Sequence, residues 1–314
     1  MGDIRDAAMR IQAFVHRTPV LECRTIDRMV GARIFFKCEN FQKAGAFKIR
    51  GAANAVFSLT EEEANRGVAT HSSGNHAAAL ALAARWRGIA AHVVMPEGSS
   101  PAKQKAVAEY GASVVLCEAT LEARERGLRD LVERTGAVVI HPYNDAKVIA
   151  GQGTAAMELC EEIPDLEAVL VPVGGGGLLA GTSIAVSALC PGTSVMGAEP
   201  EVADDARRSL EAGRIIPSTY PATIADGLRS SLGDLTFSII RKHVEGILTA
   251  GEVSIAHAMR IIWERMKIVV EPSAAVPLAA VMSNPALFSG RRVGIILSGG
   301  NVDLERLPWL PRTR

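Results

Sequence analysis

Between residues 67 and 141 short apolar runs alternate with helix-like segments, and that alternation restricts the chain to a parallel α/β architecture. Residues 68 to 71 read as a strand, 75 to 87 as an alanine-rich helix and 91 to 95 as the next strand. Ser100 and Pro101 supply an N-cap and a proline at the first helical position, opening a helix that runs to residue 110. A strand over 113 to 117, a helix over 121 to 134 and a strand over 137 to 140 complete a unit of four strands joined by helices.

A second α/β region starts near Gly151 and includes strands over 168 to 173, 194 to 198 and 292 to 297. Hydrophobic residues make up 48% of the 314-residue chain and aromatics only 4%, so the core is built from Ala, Val, Leu and Ile, as in parallel sheets covered on both faces. Lys plus Arg and Asp plus Glu both number 34, which leaves neither a nucleic-acid footprint nor an acidic tail. Residues 168 to 198 carry no charge, but Pro172, four consecutive glycines and Gly181 interrupt them, so they read as strand, loop and buried helix and not as a membrane span. Cys23, Cys38, Cys117, Cys160 and Cys190 form no Cys-x-x-Cys pair, and the charged N-terminus lacks an apolar signal core. Both features point to a reducing cytoplasm.

Chemistry concentrates where apolar runs give way to small polar residues, the edge at which open α/β sheets bind ligands. Ser72-Ser73-Gly74-Asn75-His76, Gly174-Gly175-Gly176-Gly177 and Ser298-Gly299-Gly300-Asn301 each follow a strand-like run. Four glycines between a strand and a helix let successive backbone N–H groups close on an anion. Lys48 lies between Phe47 and Ile49 within Ala44 to Gly51. Taken alone it reads as a lysine lying along apolar surface with its ammonium in water. In the company of the three loops it reads as a desolvated amine, a nucleophile suited to a Schiff base. For Lys48 to meet the Gly174 and Ser298 loops, the start of the chain must fold back onto its C-terminal part. This predicts a discontinuous large domain, residues 1–63 and 147–314, with a small α/β domain, residues 64–146, inserted.

The run Phe35-Phe36-Lys37-Cys38-Glu39-Asn40-Phe41-Gln42-Lys43-Ala44-Gly45-Ala46-Phe47-Lys48-Ile49-Arg50-Gly51, together with the three loops, resembles the fold-type II pyridoxal-phosphate enzymes. Their fold is tryptophan synthase β-like, and within them the resemblance is to serine racemases and serine/threonine dehydratases. Val148 to Thr154, Ala198 to Pro200, Thr223 to Gly227, Trp263 to Lys267 and Leu297 to Asp303 extend the resemblance over nearly the whole chain. It implies pyridoxal 5'-phosphate held by Lys48, with Phe47 beside the ring, Asn75 on the ring hydroxyl and Ser298 facing the pyridine nitrogen. Gly174, Gly175, Gly176, Gly177 and Leu178 are implied at the phosphate. Ser298 reads otherwise as a turn serine.

By the same resemblance Lys48 acts as base on Cα from one face and Ser73 as proton donor from the other. Ser73 reads alternatively as a carboxylate-binding residue, alongside Ser72, Asn75 and His76. Arg124 and Ser230 align with positions near a second carboxylate of dicarboxylic ligands, although Arg124 alone is a charged residue on an amphipathic helix. Glu199, Ala203 and Asp205 match a divalent-metal site for Mg²⁺, Ca²⁺ or Mn²⁺ made of two carboxylates and one backbone carbonyl; without the resemblance they read as solvated acids.

Two departures stand out. The racemases' Thr-Gly-Ser-Phe-Lys is Ala44-Gly45-Ala46-Phe47-Lys48 here, and Ala77-Ala78 replaces the Gly-Gln with which animal relatives bind nucleotide. These changes bear on substrate preference and ATP activation and leave the cofactor chemistry intact. The expected activity is serine racemisation with α,β-elimination of serine to pyruvate and ammonia. The alternative is a threo-3-hydroxyaspartate or threonine/serine ammonia-lyase. A homodimer acting on a small amino acid, without nucleic-acid or membrane partners, completes the expectation.

Overall fold

The computed structural model describes residues 1–72, 74–99, 101–219 and 221–310, with the backbone alone for residues 101–103 and 121. Its ten strands are β1 (Val20–Glu22), β2 (Arg33–Cys38), β3 (Val68–His71), β4 (Ala91–Pro96), β5 (Ser113–Cys117), β6 (Val138–Val139), β7 (Ala168–Pro172), β8 (Ser194–Pro200), β9 (Gly246–Ala250) and β10 (Arg292–Leu297). They form a six-stranded sheet in the order β1-β2-β10-β7-β8-β9 and a four-stranded sheet in the order β5-β4-β3-β6.

The four-stranded sheet is parallel throughout and contiguous in sequence. In the six-stranded sheet β2 and β7 flank β10, so strands from both ends of the chain meet at its centre. Fully buried Val293, Ile295 and Ile296 on β10 and Val169 to Val171 on β7 account for the uncharged runs, because both faces of this sheet are covered. The large sheet departs from a purely parallel one at β1, a three-residue edge strand that runs antiparallel to β2. Neither β1, β2 nor β9 is announced by the sequence pattern: β1 and β9 are short edges, and β2 carries Arg33 and Lys37 among its apolar residues.

The strand read over 137 to 140 shortens to Val138–Val139. Beyond it the Ile140 carbonyl leaves the ladder to face the His76 ring. Helix Asn75–Arg87 is rich in alanine and closed by Gly88 at φ 73°, a left-handed cap that glycine adopts without Cβ strain. Helix Ala146–Glu162 is opened by Asp145, whose carboxylate accepts from Lys147 N and Val148 N. It packs against helix Gly177–Leu189 so closely that a Cβ on Gly181 would lie 2.4 Å from Ile149 O.

Candidate active site

Residues 44 to 47 are tied to the loop after β10. Gly300 N donates to Gly45 O at 2.9 Å and Phe47 N to Ser298 O at 3.0 Å, with a bridge between Ala46 and Gly299. Helix Lys48–Phe57 opens at once, which presents Lys48 beside buried Ser298. The Lys48 amine donates to Pro142 O at 2.9 Å and lies 5.1 Å from the Phe47 ring centroid. Burial lowers its pKa to about 8, with the Glu271 carboxylate acting in the opposite direction. Such an amine is a free base far more often at neutral pH than an ordinary lysine.

Asn75, the first residue of its helix, donates to Glu271 Oε1 and Oε2 at 2.9 and 3.2 Å. Asn301 donates in turn to Asn75 Oδ1 at 2.9 Å and to Ala44 O at 2.8 Å. Thus the loops after β3 and β10 and the segment before Lys48 share one hydrogen-bonded chain. His76 is 2% exposed, and its Nε2 lies 3.1 Å from Ile140 O. Burial, with the Lys48 charge nearby, pushes it down to about 3, so the ring is neutral and Nε2–H donates to that carbonyl. The buried Nδ1, an acceptor in this tautomer, has no partner among the described residues.

The glycine loop leads from β7 into helix Gly177–Leu189, where Leu178 is buried and no side chain caps the first turn. Its first N–H groups therefore face the loop as ready anion donors. A Cβ on Gly175 would fall 2.2 Å from the Tyr143 ring, and one on Gly174 3.0 Å from Gly227 O. Gly175 O accepts from Thr236 Oγ1 at 2.8 Å, and Gly176 takes φ 86°. Above this loop the Tyr143 ring meets His141 edge-on at 4.6 Å, and His141 meets His71 at 6.2 Å. Burial, with His71 and Lys48 adding to it, lowers His141 to about 4; burial and the Arg124 charge lower His71. Both imidazoles are neutral.

Ser72 is partly exposed, and its Oγ accepts from Gly74 N at 3.3 Å. Ser73 lies outside the described residues. Arg124 is partly exposed and bonds only the Thr120 carbonyl of its own helix, at 3.3 Å, among the described residues. Ser230 is exposed, two residues beyond Leu228, whose Cα lies close to Gly174. Glu199, one residue before the end of β8, is almost fully buried and accepts from Ala206 N and Arg207 N at 3.2 and 2.8 Å. Burial raises it to about 8 and Asp205 to about 6, and Asp205 Oδ2 has no partner among the described residues. Ala203 is buried in the turn between them.

Glu271, His141 and Tyr143 line this cleft without having been singled out in the sequence. His141 does follow the apolar 137–140 run, the same strand-end signal that flags the other loops. Glu271 is set only by folding, 196 residues from Asn75.

A profile of the family described as pyridoxal-phosphate dependent enzyme matches residues 11–299. The chain belongs to the pyridoxal-phosphate dependent enzymes. Within this family it is 50% identical to the beta-hydroxyaspartate dehydratase of Paracoccus denitrificans (strain Pd 1222) over 307 residues, 98% of each chain. The crystal structure of the Dictyostelium discoideum serine racemase superimposes with a TM-score of 0.93 at 49% identity, covering 96% of this chain and 98% of that one. The T.th. threonine deaminase gives a TM-score of 0.92 at 47% identity, over 97% and 99%. The fold is therefore the α/β fold of the fold-type II pyridoxal-phosphate enzymes. No helix among the described residues is long and apolar enough to cross a membrane.

Proposed function

We propose that this protein is a pyridoxal-phosphate dependent serine racemase that also eliminates water from serine, giving pyruvate and ammonia. The observation that carries the reading is the buried Lys48 amine, lowered to about 8, which donates to Pro142 O and follows a segment bonded to the loop after β10. The residues present fit the cofactor: the first N–H groups of helix Gly177–Leu189 are left uncapped beside the glycine loop, and Ser298 is buried where β10 ends. In this reading Phe47 packs beside the ring and Asn75 bonds its hydroxyl. Leu178 and the glycines bind the phosphate, and Ser298 bonds the pyridine nitrogen. Bound pyridoxal phosphate supplies an electron sink that weakens the bonds at Cα of an amino acid.

Lys48 removes and returns the Cα proton on one face, and the Ser73 hydroxyl does so on the other. One base serves elimination; inversion of the centre needs two. Ser72, Asn75 and the His76 N–H hold the substrate carboxylate. Racemase similarity over almost the full length supports this assignment.

A second reading, dehydration of threo-3-hydroxyaspartate or threonine without racemisation, is favoured by one specific feature. Arg124 is a partly exposed cation whose charge reaches both His71 and Tyr143, and with Ser230 it suits a distal carboxylate. The Paracoccus denitrificans relative is named a beta-hydroxyaspartate dehydratase.

The same reading makes residues 1–63 with 147–314 the cofactor-binding domain and 64–146 the inserted one. It also places a Mg²⁺, Ca²⁺ or Mn²⁺ ion at Glu199, Ala203 and Asp205, and describes a cytoplasmic homodimer. The deciding experiment incubates purified protein with L-serine, D-serine, threonine and the hydroxyaspartate isomers and quantifies both enantiomers and keto acid. D-serine formed from L-serine is expected; keto acid with no D-serine selects the second reading. A Lys48→Ala variant that keeps the yellow chromophore and full turnover would remove the basis of both.

A further inference from the structure

Directly behind the Lys48 helix lies a buried set of four charges that the chemistry above leaves unused. Arg50 and Lys37 are the cations and Glu39 and Glu158 the anions; the first three are fully buried and Glu158 nearly so. Arg50 Nε and Nη2 donate to Glu39 at 2.7 and 2.9 Å, and Nη1 and Nη2 to Glu158 at 2.7 and 2.9 Å. Nη1 also reaches Thr154 Oγ1 at 3.1 Å and Nη2 reaches His16 O at 3.2 Å. Lys37 completes the set with bonds to Glu158 Oε2 at 2.5 Å and Thr18 O at 2.7 Å. The partners come from β2 and the turn after it, from helix Ala146–Glu162 and from the segment before β1, so Arg50 is held from several directions.

A buried ion cluster of this kind adds little net stability, because desolvation offsets the attraction, and an apolar replacement of equal volume is often neutral or better. Its effect lies in geometry. Residues two apart on a helix project about 200° apart, so Arg50 points away from the side that carries Lys48. On the Arg50 side the backbones are already in contact, since a Cβ on Gly151 would lie 2.4 Å from Arg50 O. That contact fixes the separation of the two helices, and the guanidinium fork fixes rotation about the helix axis. For a group about 8 Å from the axis, a roll of about 10° is a displacement of about 1.4 Å. A misplacement of about 1 Å costs about 100-fold in rate.

We propose that Arg50, clamped by Glu39 and Glu158, is the positioning residue that sets the rotation of helix Lys48–Phe57 and with it the aim of the Lys48 amine. This rests on Lys48 being the cofactor lysine.

The test compares the holoenzyme with Arg50→Lys, which keeps the charge and loses the fork, and with Arg50→Met/Glu158→Met, which removes one charge of each sign. The double variant leaves Lys37 and Glu39 as one buried pair of opposite sign without a direct bond, so it is expected to load cofactor while melting below wild type. Both variants are expected to lose about 10- to 100-fold in kcat with KM within about threefold. The visible circular dichroism of the bound chromophore should weaken, and amide exchange over residues 48–57 should quicken. Wild-type turnover and dichroism in the double variant overturn the proposal. Full rescue by Arg50→Lys overturns it too, because charge alone then suffices. If neither variant accumulates as folded, loaded protein, Arg50 serves folding and the proposal also fails. Wild-type protein that binds no cofactor is a separate result, visible before any variant is made, and it defeats the Lys48 reading instead.

Discussion

Lys48 and the histidines beside it respond to one physical cause with different consequences. Desolvation disfavours the charged form of each, giving about 8 for Lys48, about 3 for His76 and about 4 for His141. For the lysine this raises the free-base fraction, and for the histidines it keeps the cleft free of extra cations. As pH falls through about 6.5 the unfolded chain takes up a proton at each histidine, while the folded chain does not until about 4 or below. The unfolded state then binds more protons, so stability is fully present above about pH 6.5 and is lost toward pH 4, by up to about 1.4 kcal/mol per pH unit for each histidine. His76→Gln keeps a donor for Ile140 O and does not titrate, so urea midpoints measured from pH 7 to 4.5 are expected to fall less steeply than in wild type. An equal slope in the two proteins would show that His76 is not the group responsible. Ser73 supports a sharper expectation. Racemisation needs a proton returned on the face opposite Lys48, so Ser73→Ala should abolish D-serine formation, a loss of about 100-fold or more, with pyruvate production largely kept. Chiral chromatography of the products decides it, and equal racemisation by the variant would leave Ser73 a carboxylate-binding residue.

At the scale of elements, the site is made by strand ends that hand over to helices. The glycine loop carries its requirement in the backbone, since the Tyr143 ring occupies the space that a Cβ on Gly175 would need. Gly175→Ala is expected to push Tyr143 and the loop apart and to weaken cofactor retention at least tenfold, read by the absorbance remaining after dialysis, while the secondary structure is unchanged. Undiminished retention would mean that the loop does not hold the phosphate. The same contrast explains which parts were legible in the sequence. Gly174 to Gly177, Asn75, Lys48 and Ser298 announce themselves because each needs a particular residue type at a particular point of a strand–loop–helix transition. Glu271, Tyr143 and the three charges around Arg50 follow no local period. Glu158 meets Arg50 across 108 residues and Lys37 across 121, and only the folded packing of helix Ala146–Glu162 against helix Lys48–Phe57 brings them together. Strand β2 was hidden for the same reason, since Lys37 interrupts its apolar run and is paired in the folded chain with the distant Glu158.

For the molecule as a whole, the pairing of β2 with β10 closes the chain on itself and lets residues near both ends build one cleft. Parallel pairing of β8 with β7 brings the loop that would cradle phosphate and the buried acids Glu199 and Asp205 to the same edge of the large sheet. Those acids carry an electrostatic burden. Burial raises both, each raised further by neighbouring acid, and the backbone bonds from Ala206 and Arg207 relieve Glu199 only in part. A divalent cation between them would remove the burden, and oxygen ligands from two carboxylates and a carbonyl with water suit Mg²⁺ or Ca²⁺. Because such an ion binds only the folded chain, free cation at about 100 times its dissociation constant stabilises by about 2.7 kcal/mol. With a shift of about 2–4 °C per kcal/mol for a chain of this size or somewhat smaller, chelation is expected to lower the melting temperature by about 5–10 °C. Turnover should fall with it, since β8 adjoins the strand that carries the glycine loop, and added Mg²⁺ or Ca²⁺ should restore both. Glu199→Gln lacks one of the two charges and should melt at the same temperature with and without chelator. A wild type whose melting temperature ignores chelator, and which elemental analysis shows to be free of bound cation, would exclude the metal and leave Glu199 protonated on the backbone of the following helix.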